Sequence, residues 1–157
     1  MQAEEDRGPR VLIFPPILFG LTLLTGTVLQ LLSPMPFWEA TWSRRTLGVV
    51  LFLAALSFAR WGEATMRGAG TNVRPDRPST AIVEDGPFRF TRNPLYLSVF
   101  TMFVGLAQVT NSAWFLLLLV PMALVLHFGV VRREERYLDG KFGEAYRAYC
   151  ARVRRYL

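Results

Sequence analysis

Four long apolar runs, separated by short polar or turn-rich stretches, set the pattern of this chain. Residues 11–32 are uncharged over 22 positions, 47–66 form a second run of 20, 94–109 a third of 16 and 113–131 a fourth of 19. A helix rises about 1.5 Å per residue, so about 20 apolar residues cross a hydrocarbon core of about 30 Å. The first, second and fourth runs meet that length, and the third is slightly short. Pro15-Pro16 near the start of the first run predicts a kink or marks the true first turn. Arg60 and Glu63 fall in the last turns of the second run, three apart and on one face. There they can pair with each other or point into the bundle.

The connections refine this picture. Residues 33–42 read as an interfacial loop with Trp38 and Trp42 at headgroup level. Thr110-Asn-Ser112 is a tight turn, so runs three and four form an antiparallel hairpin. Residues 67–93 make the longest connection, rich in glycine and proline, and irregular segments of that length are commonly functional or disordered. Residues 132–139 continue the fourth helix out of the membrane, and Gly140 and Gly143 interrupt it. From Glu144 onward Tyr146, Tyr149, Cys150, Val153 and Leu157 recur at three- and four-residue steps, with Arg147, Arg154 and Arg155 off that stripe. This predicts an amphipathic helix on the membrane surface or against the bundle. The expected fold is all-α: a multi-pass membrane bundle of about four transmembrane helices plus a C-terminal amphipathic helix on the cytosolic face, in one domain over 1–157.

Composition agrees. Hydrophobic residues make up 52% of the chain and mean hydropathy is +0.26. The net charge of +6 raises the possibility of nucleic acid, but the basic residues flank apolar runs and form no continuous stripe. With four spans, one side holds fifteen basic residues, Arg7 and Arg10 among them, and the other only Arg44 and Arg45. That asymmetry predicts cytoplasmic termini, with residues 67–93 and 132–157 on the same face. Cys150 is the one cysteine, which rules out an intrachain disulfide and points to a reducing side or plain packing. The long first run has no small-residue cleavage pattern and speaks against a removable signal peptide.

The candidate chemistry lies in two polar clusters. One is Glu84-Asp-Gly-Pro-Phe-Arg-Phe-Thr-Arg-Asn-Pro-Leu-Tyr96, where Pro94 suits the first turn of a helix and holds Arg89, Arg92 and Asn93 at its mouth. The other is Arg132-Arg-Glu-Glu-Arg-Tyr-Leu138. Regular helical spacing puts His127 two turns before Glu134 on nearly the same face. A carboxylate there, opposite Arg89 and Arg92, can hold a ribose hydroxyl pair or an ammonium group. The same residues also suit a solvated helix exit, with Glu134 and Glu135 pairing to Arg132, Arg133 and Arg136. An arginine before a membrane helix commonly anchors lipid phosphate. His127 is the one histidine, and no Cys/His cluster supports a metal.

Gly86-Pro-Phe-Arg-Phe-Thr-Arg-Asn-Pro-Leu-Tyr96, an apolar hairpin, Glu134-Glu-x-x-Leu138 and Phe142-Gly-x-x-Tyr146-x-x-Tyr149 together resemble the isoprenylcysteine carboxyl methyltransferase family and the related phospholipid methyltransferases. Ala69-Gly-Thr-Asn-Val73 fits as well, and the resemblance covers roughly residues 60–155. It implies a membrane enzyme that transfers a methyl group from S-adenosylmethionine to a lipophilic acceptor from the bilayer, without metal or nucleic acid. The cofactor residues it implies are Ala81, Ile82, Val83, Phe88, Asn93, Pro94, Leu95, Tyr96 and Glu134, and the two polar clusters add Arg92 and Glu135. Arg60, Glu63 and His127 are the candidates for substrate orientation. Asn93 stands where the family often has histidine, and Val130 where the prenylcysteine enzymes place a substrate-facing arginine. The acceptor stays open between a prenylated cysteine, a phospholipid amine and a thiol. An NADPH-dependent sterol-reductase-like enzyme and a non-enzymatic membrane scaffold are the rival readings.

Overall fold

The computed structural model describes residues 8–156 other than 40 and 75. Arg7 of the charge count and Leu157 of the C-terminal stripe therefore lie outside the described residues. The described residues form helices and turns and include no strand. Helix α1 spans Pro15–Leu32, α2 Trp42–Gly68, α3 Pro94–Thr110 and α4 Ala113–Leu126. A π-helical turn, His127–Val131, joins α4 to α5, Arg132–Phe142, and α6 follows at Glu144–Arg152. By length and composition α1, α2 and the continuous helical stretch Ala113–Phe142 can each cross a membrane, while α3 is shorter.

Several boundaries differ from expectation. Helix α1 starts at Pro15, so the proline pair opens the helix and does not kink it, consistent with its fixed φ and missing N–H. Residues 11–14 instead run across the π turn, where the Leu12 N–H donates to the Gly129 carbonyl at 2.8 Å. Helix α2 is longer than its apolar run at both ends and takes Trp42 into its first turn. Gly140 lies inside α5; Gly143 alone breaks it, in the left-handed region at φ 51°. Helix α6 ends at Arg152, so Val153 lies beyond it.

The helices pack in a row: α2 on α3, α3 on α4 and α4 on α1. Small residues set the spacing. A Cβ at Gly48 would lie 2.7 Å from the Gly105 carbonyl oxygen, and one at Gly105 would lie 2.7 Å from that of Gly48. Two glycines thus let α2 and α3 touch backbone to backbone, where apolar lipid offers no hydrophobic drive to hold helices together. Between α3, α4 and α1 the buried core is built from Leu18, Phe103, Phe115, Met122, Leu126 and Val130. Asn111 makes the turn between α3 and α4 in the left-handed conformation that asparagine tolerates.

Candidate functional site

Beyond the end of α2 at Gly68, the described residues of 69–93 carry a short 3₁₀ turn at Gly86–Arg89 and are otherwise irregular. Their own side chains tie them down. Asn72 Nδ2 donates to the Pro78 carbonyl at 2.8 Å, and the Thr80 hydroxyl to that of Gly70 at 2.8 Å. Gly86 sits at φ +57°, and a Cβ there would meet the Thr65 hydroxyl oxygen at 2.6 Å. Only glycine fits this close approach of the segment to α2. Phe88 is thereby buried beneath α6, where the Tyr149 hydroxyl donates to its carbonyl at 2.9 Å. Helix α6 therefore packs against the bundle.

Where this segment, the first turn of α3 and the first turns of α5 converge, they line a cavity that opens to solvent. Ala81, Ile82, Val83, Phe88, Arg92, Asn93, Pro94, Leu95, Tyr96, Glu134 and Glu135 all line it. The eleven side chains named as cofactor candidates thus surround one space. Pro9, Met66, Arg74, Ser79 and Tyr137 join them. No local pattern marks Pro9; it arrives because residues 9–14 cross from the loop to the π turn.

The two glutamates have different partners. Glu135 accepts Arg155 Nε and Nη2, both at 2.8 Å, and lies 3.0 Å from Arg92 Nη1. Arg92 also donates to Cys150 Sγ at 2.7 Å. Glu135 is therefore a structural anion held between two guanidiniums. Glu134 accepts the Tyr96 hydroxyl at 2.9 Å, and among the described residues no cation lies within ion-pair distance of it. It stands beyond the apolar stretch that ends at Val131, in the charged helix α5. Burial pushes its carboxyl up to about 7; Tyr96 opposes the shift, and Glu135 adds to it. The solvated-exit reading does not hold, since neither glutamate pairs with Arg132, Arg133 or Arg136.

Asn93 is buried, and its side-chain Nδ2 donates to the Arg155 carbonyl at 2.9 Å. That carbonyl also accepts the Thr91 hydroxyl at 3.2 Å, and the Arg92 N–H donates to the Arg154 carbonyl at 2.9 Å. Residues 153–156 are thus strapped across the mouth of α3.

Arg60, Glu63 and His127 are not among the cavity's lining residues. Glu63 lies 3.4 Å from Arg67, one turn on, so its partner is Arg67 and not Arg60, the partner that one of the two sequence readings offered. His127 bonds the Tyr156 hydroxyl through Nδ1 at 2.9 Å. The π turn accounts for its absence from the Glu134 face. Five residues wound at i→i+5 spacing fall roughly a quarter turn behind regular helical spacing. Val130 is fully buried in the core. Among the described residues, no group of three or more His, Cys, Asp or Glu side chains is placed to hold a metal ion.

Known sequences place this architecture. The chain is 27% identical over 125 residues to the nickel-cobalt-cadmium resistance protein NccN of Alcaligenes xylosoxydans xylosoxydans. That alignment covers 78% of this chain and 55% of the relative, so the chain spans about half the length of the curated relative it matches. Residues 43–145, from the second helix to the start of α6, match the phospholipid methyltransferase family model. That range contains the glycine contact between α2 and α3, the 3₁₀ turn, the α3–α4 hairpin and both glutamates, and the chain belongs to the phospholipid methyltransferase family.

Proposed function

We propose that this chain is an integral membrane methyltransferase that transfers a methyl group from S-adenosylmethionine to a lipophilic acceptor drawn from the bilayer. The observation that carries this reading is Glu134: a carboxylate without a cation partner among the described residues, in a cavity at the end of an apolar bundle. When bound, S-adenosylmethionine supplies an activated methyl group on a sulfonium. The residues present fit such a ligand. Phe88 and Tyr96 line the space, and aromatic rings can hold a sulfonium by cation–π attraction. Glu134 answers a positive charge or a hydroxyl pair. The apolar side chains of Ile82, Val83 and Leu95 exclude water, and methyl transfer asks the protein mainly for alignment and exclusion of water. The cytoplasmic placement of this face rests on the charge asymmetry of the sequence.

An amine or thiol acceptor fits better than a carboxylate. The arginines that line the cavity are Arg92 and Arg74, engaged by Glu135 and Asp76 respectively, and Val130 contributes no charge. Calorimetric titration of detergent-purified protein with S-adenosylmethionine and with NADPH tests the proposal. Saturable binding of the first alone is expected. Binding of NADPH alone would move the chain to the reductase reading, and binding of neither would leave a lipid-anchoring scaffold.

A further inference from the structure

Methyl transfer to an amine needs a free electron pair on nitrogen, and at neutral pH an alkylamine carries a proton there instead. A base has to remove it where the acceptor sits. The acidic side chains that line the cavity are Glu134 and Glu135. Glu135 is engaged by Arg92 and Arg155 through both carboxylate oxygens. Glu134 is engaged at one oxygen. Its Oε1 accepts the Tyr96 hydroxyl at 2.9 Å, and Oε2 makes no hydrogen bond or ion pair among the described residues.

Reaction geometry favours the same carboxylate. In an in-line displacement the nitrogen stands about 3 Å from the methyl carbon, on the side away from sulfur, so nitrogen and sulfur are roughly 5 Å apart. A carboxylate close enough to answer the sulfonium is therefore within reach of the nitrogen as well. The titratable groups that face Glu134 are Tyr96 from α3, Glu135 from α5 and Tyr156 from the stretch after α6. The arginines of the cavity wall are turned to other partners, Arg92 to Glu135 and Arg74 to Asp76. Burial makes the Glu134 carboxylate more basic than an exposed one, which narrows its gap to an ammonium. A thiolate is disfavoured beside it, because thiolates form next to cations.

We propose that Glu134 is the catalytic base of the acceptor end and that Tyr96 is its positioning residue. The acceptor arrives as an ammonium, and one N–H proton passes to Glu134 Oε2, leaving the electron pair on nitrogen and the carboxyl neutral. Nitrogen then attacks the methyl carbon while the carbon–sulfur bond breaks with its pair left on sulfur. The positive charge moves from sulfur to the methylated nitrogen. Glu134 afterwards releases its proton to water at the open side of the cavity. The Tyr96 hydroxyl holds Oε1 and leaves Oε2 to the acceptor. This inference rests on the methyl-transfer reading above and commits it to an amine.

Two measurements test it. The first uses no cofactor: calorimetric binding of dodecylamine and of dodecanol to the protein in nanodiscs, with empty nanodiscs subtracted. On the alkaline side of neutrality the amine is expected to bind the wild type at least tenfold more tightly than the alcohol. Glu134→Gln is expected to bind the two alike. Equal affinities in the wild type would overturn the assignment. The second is transfer of labelled methyl to dodecylamine, to its β-difluoro analogue and to dodecanethiol, at saturating S-adenosylmethionine. The fluorinated nitrogen is largely unprotonated at neutral pH and needs no base. Glu134→Gln is expected to lower kcat about a hundredfold with dodecylamine, and at least tenfold less than that with the difluoro amine. Tyr96→Phe removes a hydrogen bond that favours the ionised carboxylate, so the fall of its kcat on the acid side should begin at higher pH. A Tyr96 that only supports the fold would lower kcat and leave that limb in place. Equal losses with the two amines, or a loss confined to cofactor affinity, would overturn the base and leave the methyltransferase reading standing. Methylation of the thiol alone does the same. If the wild type binds no S-adenosylmethionine, or methylates none of the three, the base falls together with the reading it rests on.

Discussion

The Tyr96 hydroxyl donates to Glu134 across 2.9 Å, joining the first turn of α3 to α5 at the wall of the cavity. This bond sets the chemistry of the site, because it is the interaction that steadies the Glu134 charge against burial. With its carboxyl raised to about 7, Glu134 is largely protonated at pH 6 and ionised at pH 8. A cationic ligand binds the ionised form. Affinity for S-adenosylmethionine is therefore expected to rise about tenfold from pH 6 to pH 8, with release of a proton. Calorimetry in buffers of different ionisation enthalpy measures both. In Glu134→Gln the pH dependence should disappear and affinity at pH 8 should fall at least tenfold, about 1.4 kcal/mol. The sign for stability is opposite. A raised carboxyl favours the protonated folded state, so the ligand-free protein should lose stability as pH rises from 4.5 through 7.

Arg92 carries more structure than its sequence position implies. It holds Glu135 at 3.0 Å and Cys150 at 2.7 Å, both from elements distant in the chain. Arg92→Ala breaks a largely buried ion pair and is expected to lower stability by about 3 kcal/mol and to weaken cofactor binding at least tenfold. Arg92→Lys should rescue little, since a single ammonium cannot replace a fork that reaches two partners. Thermal unfolding in detergent, followed by titration of the folded fraction, separates the two effects.

Asn93 tests the strap. Asn93→Asp replaces an N–H donor with a carboxylate oxygen facing the Arg155 carbonyl, which then keeps only the longer bond from the Thr91 hydroxyl and meets a second acceptor in a buried place. A loss of about 1–3 kcal/mol is expected. Hydrogen exchange should show residues 153–156 opening, while the α3–α4 hairpin stays protected.

The α2–α3 contact is testable away from the cavity. Gly48→Val drives a branched side chain into the Gly105 carbonyl, 2.7 Å from where its Cβ must sit. Helix α2 has to move, at an expected loss of about 1–3 kcal/mol, read as a lower unfolding temperature in detergent.

Hydrophobic runs bounded by turn residues were sufficient to define the helices, because lipid demands long apolar stretches with internally satisfied backbones. The α3–α4 hairpin and the opening of α3 at Pro94 were legible because turn chemistry and helix-start signals are local, whereas the wall residues from Ala81 to Tyr96 were named through the family resemblance. The partners of the charged groups were not. Glu134 and Glu135 are adjacent in sequence, yet one faces a phenol and the other two guanidiniums. That difference was decided by where α3 and residues 153–156 cross α5. Regular spacing put His127 beside Glu134. A five-residue π turn moved it to Tyr156, since a change in winding over one turn alters every face relation beyond it. Local periodicity determined which elements form and which polar residues stand at their ends; the packing of segments far apart in the chain decided which of those residues meet.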